Sequence, residues 1–320
     1  MQDVSENIET PLTGLDAAMW KNRLTALMKE LGEYHALGNR HFATVIQRAP
    51  TLLVSFETVQ GIRALSQTAQ PFGFELVRSR DWSHLCIISN GDTWFRSPAV
   101  YEFFDDLTDD SFFDQFDRIL FYGAGPCGYA AAAFSVAAPG STVVAVQPQA
   151  TLDARMAEWD PRFVEMRRTS FTDRYGYAPD MLDAAEAAFV LYDPRQEFDA
   201  MHAALFARQN VTRLRMPFMG SALQTRLMEM DLLFPILTRA ATHALDEAEF
   251  YRLFRARREN VSYLRALMGR LDADGRDGLA LRLCRNVTSR MTMPRFRRRQ
   301  DRLEEKLNAD NSAQTVPARL

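Results

Sequence analysis

The sequence predicts an α/β protein built on a mainly parallel sheet with helices on both faces. Six short apolar segments alternate with stretches that are mostly long enough for crossover helices, and they are TLLVSFE (51–57), HLCIIS (84–89), ILFYG (119–123), TVVAVQ (142–147), AFVLYD (188–193) and VTRLRMP (211–217). After residue 218 the strand pattern stops, and helical periodicity predicts a helical C-terminal extension. With 320 residues, of which 47% are hydrophobic, the chain is large enough to bury the core of such a fold.

The order of these patterns divides the chain into four predicted segments. They are an N-terminal segment with a docking helix (1–44), the α/β core (45–240), a basic helical extension (241–306) and a disordered tail (307–320). Asp16 is a suitable N-cap for the docking helix, and Gly38 is a suitable stop. Between them, apolar residues recur three or four positions apart at Trp20, Leu24, Leu27, Leu31 and Tyr34.

The net charge of −3 conceals an uneven distribution of charge along the chain. Residues 246–302 hold fifteen arginines against eight acidic residues, a local balance of +7. Such a segment is able to meet phosphate groups, but arginines on amphipathic helices ordinarily form the solvated face. We therefore expect a basic extension on an acidic body, and we do not expect nucleic acid as a partner.

The number and spacing of the cysteines and histidines limit which disulfide and metal sites the chain can form. Cys86, Cys127 and Cys284 lie far apart without a C-x-x-C pair, and the chain has five histidines. This spacing argues against a disulfide framework and against a zinc site, so we expect reduced thiols and no metal or other cofactor. No segment approaches the roughly 18 uninterrupted apolar residues of a membrane span, and the first residues are polar and acidic, so we expect no membrane span and a cytoplasmic location.

One stretch, RILFYGAGPCGYAAAAF at 118–134, predicts a strand, a tight turn and a helix, and two chemistries use that shape. As G-x-G-x-x-G, the three glycines Gly123, Gly125 and Gly128 would cradle the pyrophosphate of a dinucleotide. That interpretation also needs an acidic residue at the end of the next strand, where this sequence has Gln147, Pro148 and Gln149. A dinucleotide-binding oxidoreductase therefore remains an alternative hypothesis.

As a G-x-S-x-G nucleophile elbow, the same turn would raise a serine above the sheet. The string LFYGAGPCGYAAAAF, followed by VQPQATLD, LYDP and VTRLRMPFMGS, resembles a bacterial α/β-hydrolase-like family associated with polysaccharide export and surface glycans. Members of that family commonly read Y-G-S-S-M-G-G-Y-A-A, S-P-Q, Y-D-P and P-x-x-G-H, in that order. The resemblance covers about residues 50–240 and implies an α/β-hydrolase-like fold with the nucleophile, the acid and the base in this order.

The departures from the family pattern fall on the reactive positions. Gly125 stands where the resemblance implies the nucleophilic serine, and Ser221 stands where it implies the histidine base. Asp193 in LYDP matches the acid. Because the nucleophile and the base are lost together, we expect a degenerate triad and a non-catalytic protein with a binding, scaffold or regulatory role, by resemblance in surface-polysaccharide handling.

Two further hypotheses concern other residues near the elbow. Cys127 lies in the first turn of the predicted helix, where the helix dipole favours a thiolate, so a thiol-dependent enzyme is an alternative. The candidate residues of a ligand cleft are Phe56, Trp94, Arg96, Gln147, Gln149 and His202. A phosphoadenosine phosphosulfate reductase is not supported, because neither an S-G-G-x-D-S loop nor an E-C-G-L-H segment occurs. The expected partner is an unknown protein or a glycan-related ligand, and the oligomeric state is not predicted.

Overall fold

A computed structural model describes residues 8–314, and its central feature is an eight-stranded sheet. Its strands are β1 (Glu33–Leu37), β2 (His41–Ile46), β3 (Thr51–Thr58), β4 (Ser83–Ser89), β5 (Arg118–Ala124), β6 (Thr142–Val146), β7 (Ala187–Tyr192) and β8 (Val211–Arg215). They are ordered β1-β2-β4-β3-β5-β6-β7-β8. Strand β2 is antiparallel to β1 and β4, and every other neighbouring pair is parallel. The predicted mainly parallel sheet and all six predicted strands, β3 to β8, are confirmed.

The sequence prediction missed β1 and β2. Helix α1 (Ala17–Leu31) begins after the predicted cap Asp16, whose side chain accepts from the Met19 N–H at 2.8 Å, but it ends at Leu31. The predicted continuation to Tyr34 and Gly38 was wrong, because Tyr34 lies in β1 and stacks on Phe42 of β2. Tyr34 fits the helical spacing of apolar residues in the sequence, but its side chain packs on a neighbouring strand of the sheet.

The remaining α-helices follow the strands in chain order. They are α2 (Val59–Leu65), α3 (Phe74–Arg80), α4 (Pro98–Asp109), α5 (Pro126–Phe134), α6 (Ala154–Ala157), α7 (Ala178–Met181), α8 (Glu197–Leu205), α9 (Leu223–Glu229), α10 (Leu233–Ala241), α11 (Glu247–Leu253), α12 (Val261–Ala273), α13 (Asp277–Thr288) and α14 (Pro294–Gln314). Short 3-10 helices cover Phe113–Gln115, Ser135–Ala137, Pro161–Arg168, Leu182–Ala184 and Phe254–Arg258. Among the described residues, no helix combines the length and the apolar character needed to cross a bilayer.

Alternation along the strands places two cores on opposite faces of the sheet. On one face Val54, Phe56 and Ile87 pack with helices α4 and α5. On the other face Cys86 and Ile88 belong to a cluster that includes Trp20 of α1 and Phe74 of α3. Helices therefore cover both faces, as predicted.

The chain divides into two compact units, residues 1–254 and 255–320. Helix α11 belongs to the first unit, whereas the predicted core ended at residue 240. Strand β1 and most of β2 lie in the predicted N-terminal segment 1–44, and both strands are part of the sheet. In the second unit helices α12 to α14 pack around Leu264, Cys284 and Phe296. Helix α14 runs to Gln314, so residues 307–314, which we expected to be disordered, are helical, and 315–320 lie outside the described residues together with 1–7.

Part of the basic charge of the second unit is matched within that unit. Arg299 pairs with Asp272 at 2.7 Å, and Arg285 pairs with Glu304 at 2.9 Å. Lys306 lies 2.6 Å from Asp277. These pairs are partly exposed and contribute little to stability individually, but they reduce the net positive field of the helices.

Candidate functional site

The turn after β5 has the geometry of a nucleophile elbow. Gly125 adopts φ 58° and ψ −124°, its N–H donates to the carbonyl of Val146 at 2.8 Å, and helix α5 starts at the next residue. This left-handed backbone is unfavourable for any residue with a side chain. A Cβ built on Gly125 meets no described atom within 4 Å, so the position has room for a side chain. The elbow bend is present, and the group that would act as nucleophile is absent from it.

The other two glycines of the turn are required by close packing. A Cβ on Gly123 would lie 2.0 Å from the carbonyl oxygen of Cys127, and one on Gly128 would lie 3.0 Å from that of Val146. Neither glycine therefore needs a bound pyrophosphate to explain it. The glycine pattern that suggested a dinucleotide is accounted for by the contact between strand β5 and helix α5.

Asp193, the predicted acid, follows β7, and its carboxylate accepts hydrogen bonds from the backbone. Asp193 is 1% exposed, and its two carboxylate oxygens accept from the N–H groups of Arg195 at 2.9 Å and Gly220 at 2.7 Å. Ser221 follows Gly220 and is exposed. The structure thus brings Asp193 against the loop that carries Ser221, with no imidazole between them.

The strand register relates the elbow to the acid. Ala124 lies level with Val146, which lies level with Leu191, so Gly125 and Asp193 follow strands that are separated by one strand. Two strand spacings correspond to about 10 Å. Gly125, Asp193 and the Ser221 loop accordingly lie at the same carboxyl edge of the sheet.

The two glutamines predicted in the cleft are both engaged by the protein. Gln147 donates from Nε2 to Asp199 at 2.7 Å and accepts from the N–H of Leu223 at 2.9 Å, which ties α8 to the start of α9. Gln149 is buried and accepts from the indole N–H of Trp94 at 3.2 Å. At the position where a dinucleotide site needs a free carboxylate, the chain has an amide that is already hydrogen-bonded.

Trp94 and Arg96 serve the core and a loop. Trp94 is fully buried, and its ring meets Phe163 edge to face. The side chain of Arg96 is 1% exposed, donates to the carbonyls of Ser170 at 3.1 Å and Arg174 at 2.6 Å, and pairs with Asp173. Arg96 therefore fixes the 170–175 loop with most of its donors.

His202 does not face Asp193. It is fully buried, its Nδ1 accepts from the N–H of Ala150 at 3.2 Å, and its Nε2 lies 3.1 Å from Asp160. Burial lowers the pKa of His202, so the neutral ring with a proton on Nε2 satisfies both contacts. Both ring nitrogens are occupied, which leaves none to serve as a base.

Cys127 has the properties of a protonated thiol. It lies in the first turn of α5 and is 7% exposed. Burial raises the pKa of this thiol, and the charges of Glu57 and Asp92 raise it further. Thiolate character is the requirement for a nucleophilic cysteine, so this environment opposes a thiol-dependent mechanism.

A cavity of about 1060 Å³ opens beside the elbow. Ala124 and Pro126 flank Gly125 in its wall, and Phe56 and Cys127 are the predicted site residues that line it. Further lining residues come from the segments around α3, α9 and α10 and include Phe72, Gln224, Met228 and Phe234. A smaller cavity of about 220 Å³ includes His41, Thr93 and Arg96.

Sequence analysis missed a polar cluster on β3 and β4, formed by Ser55, Glu57, His84 and Cys86. The Glu57 carboxylate accepts from the Ser55 hydroxyl at 2.9 Å and from the Cys86 thiol at 3.3 Å. The Phe72 N–H lies 3.1 Å from both of its oxygens. Burial raises the pKa of Glu57, although these hydrogen bonds oppose the shift. The cluster concentrates proton-bearing groups at a place where the family pattern has no motif.

His84 completes the polar cluster. Its Nε2 lies 2.8 Å from the Ser55 hydroxyl, and burial lowers its pKa to about 3. The alternating residues of S-F-E and H-L-C face one side of two parallel strands, with Ser55 opposite Cys86. That alternation was the available signal, and counting only cysteines and histidines close in sequence overlooked it.

No protein-family model matches the sequence, and no curated protein is significantly similar to it. Several solved structures are similar to it. A thermostable carboxylesterase, EstE1, cloned from a metagenomic library, is 13% identical, with 72% of this chain and 97% of that chain covered and a TM-score of 0.41. A capsule O-acetyltransferase of Neisseria meningitidis serogroup A is 9% identical, with 61% and 91% covered and a TM-score of 0.39.

A glycosylation-associated protein (Gap123) complex from Streptococcus agalactiae is 11% identical, with a TM-score of 0.43. The match covers 66% of this chain and 47% of that one, so the chain spans about half of its length. The fold of this chain is an eight-stranded, mainly parallel sheet with helices on both faces. At these identities the likeness concerns the fold alone, and the chemistry has to be argued from the residues.

Proposed function

We propose that this protein is a non-catalytic member of the α/β-hydrolase-like fold, which binds a ligand in the cavity beside the elbow. The observation that carries the proposal is Gly125, which holds the backbone of the elbow without a side chain. A serine-hydrolase mechanism needs an attacking oxygen at this point.

The surroundings of the elbow support the same proposal. Asp193 has its carboxylate oxygens on the backbone N–H groups of Arg195 and Gly220, a role that caps a loop. Ser221 is exposed, and Cys127 is a buried thiol whose pKa is raised by burial. None of these groups supplies a base with a free proton-accepting site next to Gly125.

The cavity supports a binding role. Its volume of about 1060 Å³ is at the upper end of the range for small-molecule sites, roughly 300–1,000 Å³. Aromatic side chains, Phe56, Phe72 and Phe234, line it together with the polar Glu57 and Gln224. Such a lining suits a ligand with apolar faces and a few polar groups, and sugar rings have this character.

We place this ligand among glycan-related molecules, and the role in surface-polysaccharide handling. The sequence motifs YGAGPCGYAA, VQPQ, LYDP and PFMGS support the assignment through the family that they resemble. A scaffold or regulatory role follows if a partner protein is recruited through the same cavity.

Activity assays and binding assays test the proposal separately. With p-nitrophenyl esters and thioesters we expect no turnover above the uncatalysed rate, and a rate that disappears in Ser221→Ala or Cys127→Ala would overturn the non-catalytic assignment. A panel of acetylated and unacetylated oligosaccharides, followed by saturation-transfer NMR, tests the ligand class. We expect Gln224→Ala, in the cavity wall, to weaken the signal, and Gln60→Ala, on the exposed side of α2, to leave it unchanged.

A further inference from the structure

We propose that Glu57, His84 and Cys86 form a Zn²⁺-binding site next to the cavity, a property that goes beyond the proposed ligand-binding function. One ligand atom from each residue lies within 4.8 Å of the others. The three residues come from two adjacent parallel strands in the middle of the sheet, which is a rigid support.

The distances already approach those of a coordinated ion. The Cys86 sulfur lies 3.3 Å from a carboxylate oxygen of Glu57. With zinc–sulfur and zinc–oxygen bonds of about 2.3 Å and 2.0 Å at a tetrahedral angle, the two ligand atoms are separated by about 3.5 Å. For this pair, a shift of a few tenths of an ångström is enough to reach the separation of two zinc ligands.

The donor set selects the metal. A thiolate, an imidazole and a carboxylate are the ligands that zinc accepts together, whereas calcium and magnesium require oxygen ligands throughout. Three protein ligands leave one tetrahedral position unfilled. Glu57 is the one of the three that lines the cavity, so a ligand in the cavity would approach the site from the side of this carboxylate.

The residues around the three ligands provide their supporting hydrogen bonds. The Ser55 hydroxyl contacts both Glu57 and His84, and the Phe72 N–H contacts the Glu57 carboxylate. Outer hydrogen bonds of this kind orient metal ligands in known sites. With an ion bound at the Glu57 oxygen that faces Cys86, the Phe72 N–H would hold the other carboxylate oxygen, and the Ser55 hydroxyl would hold Nε2 of His84.

His84 has an unused polar atom. Its side chain is 1% exposed, and its Nδ1 has no hydrogen-bond partner among the described residues. A buried polar atom without a partner destabilises the folded state. Coordination through one ring nitrogen, with Ser55 bonded to the other, would satisfy both.

Coordination of the ion would displace the proton of the Cys86 thiol. In the metal-free protein the Cys86 thiol donates its proton to the Glu57 carboxylate at 3.3 Å. A divalent cation supplies the positive charge that stabilises the thiolate. Binding therefore forms a metal–sulfur bond and releases the thiol proton to solvent.

Titration of the chelator-treated, full-length protein with Co²⁺ alone tests the site. We expect saturable binding of one ion per chain, a thiolate-to-cobalt charge-transfer band and release of the bound Co²⁺ by Zn²⁺. Cys86→Ser should abolish the band, and His84→Gln should weaken binding by about 100-fold or more. Cys127→Ser, which removes a different thiol, in the cavity wall, is the matched control and should keep the band.

Glu57→Gln keeps the proposal testable if the buried variants fail to fold, because Glu57 is partly exposed and glutamine has the same shape. We expect this variant to keep the wild-type thermal transition and to lose Co²⁺ affinity. Absence of the band in the wild-type protein, a band that survives Cys86→Ser, or unchanged affinity in a folded Glu57→Gln variant would each overturn the proposal.

Discussion

At the ends of β5 and β7, Gly125 has no side chain, and the Asp193 carboxylate accepts hydrogen bonds from backbone N–H groups of nearby loops. On β3 and β4, by contrast, four polar side chains lie within hydrogen-bonding distance of one another: Ser55, Glu57, His84 and Cys86. The two regions belong to one sheet, and one cavity is lined both by Glu57 and by Ala124 and Pro126, the neighbours of Gly125. The difference teaches that the bend of an elbow and the reactive groups of a site are separable. Backbone packing maintains the bend of the elbow, whereas side chains on a neighbouring strand can supply the reactive groups.

The largest expected effect concerns the packing of the elbow. In Gly123→Ala the new Cβ would meet the Cys127 carbonyl oxygen at 2.0 Å, and we expect a loss of about 3 kcal/mol or more in the free energy of unfolding. In Gly125→Ala, which has open space, the loss should be about 1 kcal/mol from the positive φ. Urea denaturation measures both, and equal losses would show that the strand–helix contact does not define the elbow.

Acid should destabilise the β1–β4 side of the sheet. Burial, with Arg40 beside it, lowers the pKa of His41 from 6.5 to about 4. The unfolded chain therefore binds this proton first, so the stability due to neutral His41 is complete above pH 6.5 and is lost as the pH falls to about 4. The shift corresponds to about 3 kcal/mol.

Urea denaturation across this pH range measures the loss. His41→Gln keeps an amide that can donate to the Thr93 hydroxyl, which lies 2.8 Å from the His41 ring, and cannot titrate. We expect its stability to depend less steeply on pH than that of the wild-type protein. Parallel curves for the two proteins would contradict this role for His41.

Removal of the Asp193 carboxylate should destabilise the folded protein. Asp193→Ala deprives two backbone N–H groups of their acceptor, and we expect a loss of about 2 kcal/mol in unfolding free energy. Asp183→Ala, which removes an exposed partner of Arg208, is the control and should cost less than about 1 kcal/mol. If the two variants are equally stable, Asp193 does not serve as the cap of its loop.

The smallest effect is expected when a hydroxyl is returned to the elbow. Gly125→Ser should cost about 1 kcal/mol, because the φ of 58° is unfavourable for serine, and should give no esterase activity in the absence of a base. Gly140→Ser, in a distant turn with φ 81° and equal space, is the control for the backbone cost. Ester hydrolysis by Gly125→Ser alone would show that a functional base remains at the sheet edge.

Sequence reasoning reached the fold because each of the six predicted strands carries its own apolar run. It failed at Tyr34, where the spacing of a helix coincided with a sheet contact. It placed Gly125 and Asp193 correctly at strand ends, since turn residues follow both strands. It could not pair Glu57 with Cys86, because that contact depends on the register of two strands separated by 24 residues, 59–82.

The glycine at position 125 has a consequence for the trade-off between stability and activity. In an enzyme, a side chain held at such a backbone geometry keeps roughly 1–2 kcal/mol of strain in the native state as a condition of catalysis. Glycine adopts φ 58° with little strain, so this chain is relieved of that condition. The stability that a strained elbow would cost therefore remains available to the rest of the fold, including the polar cluster of Ser55, Glu57, His84 and Cys86.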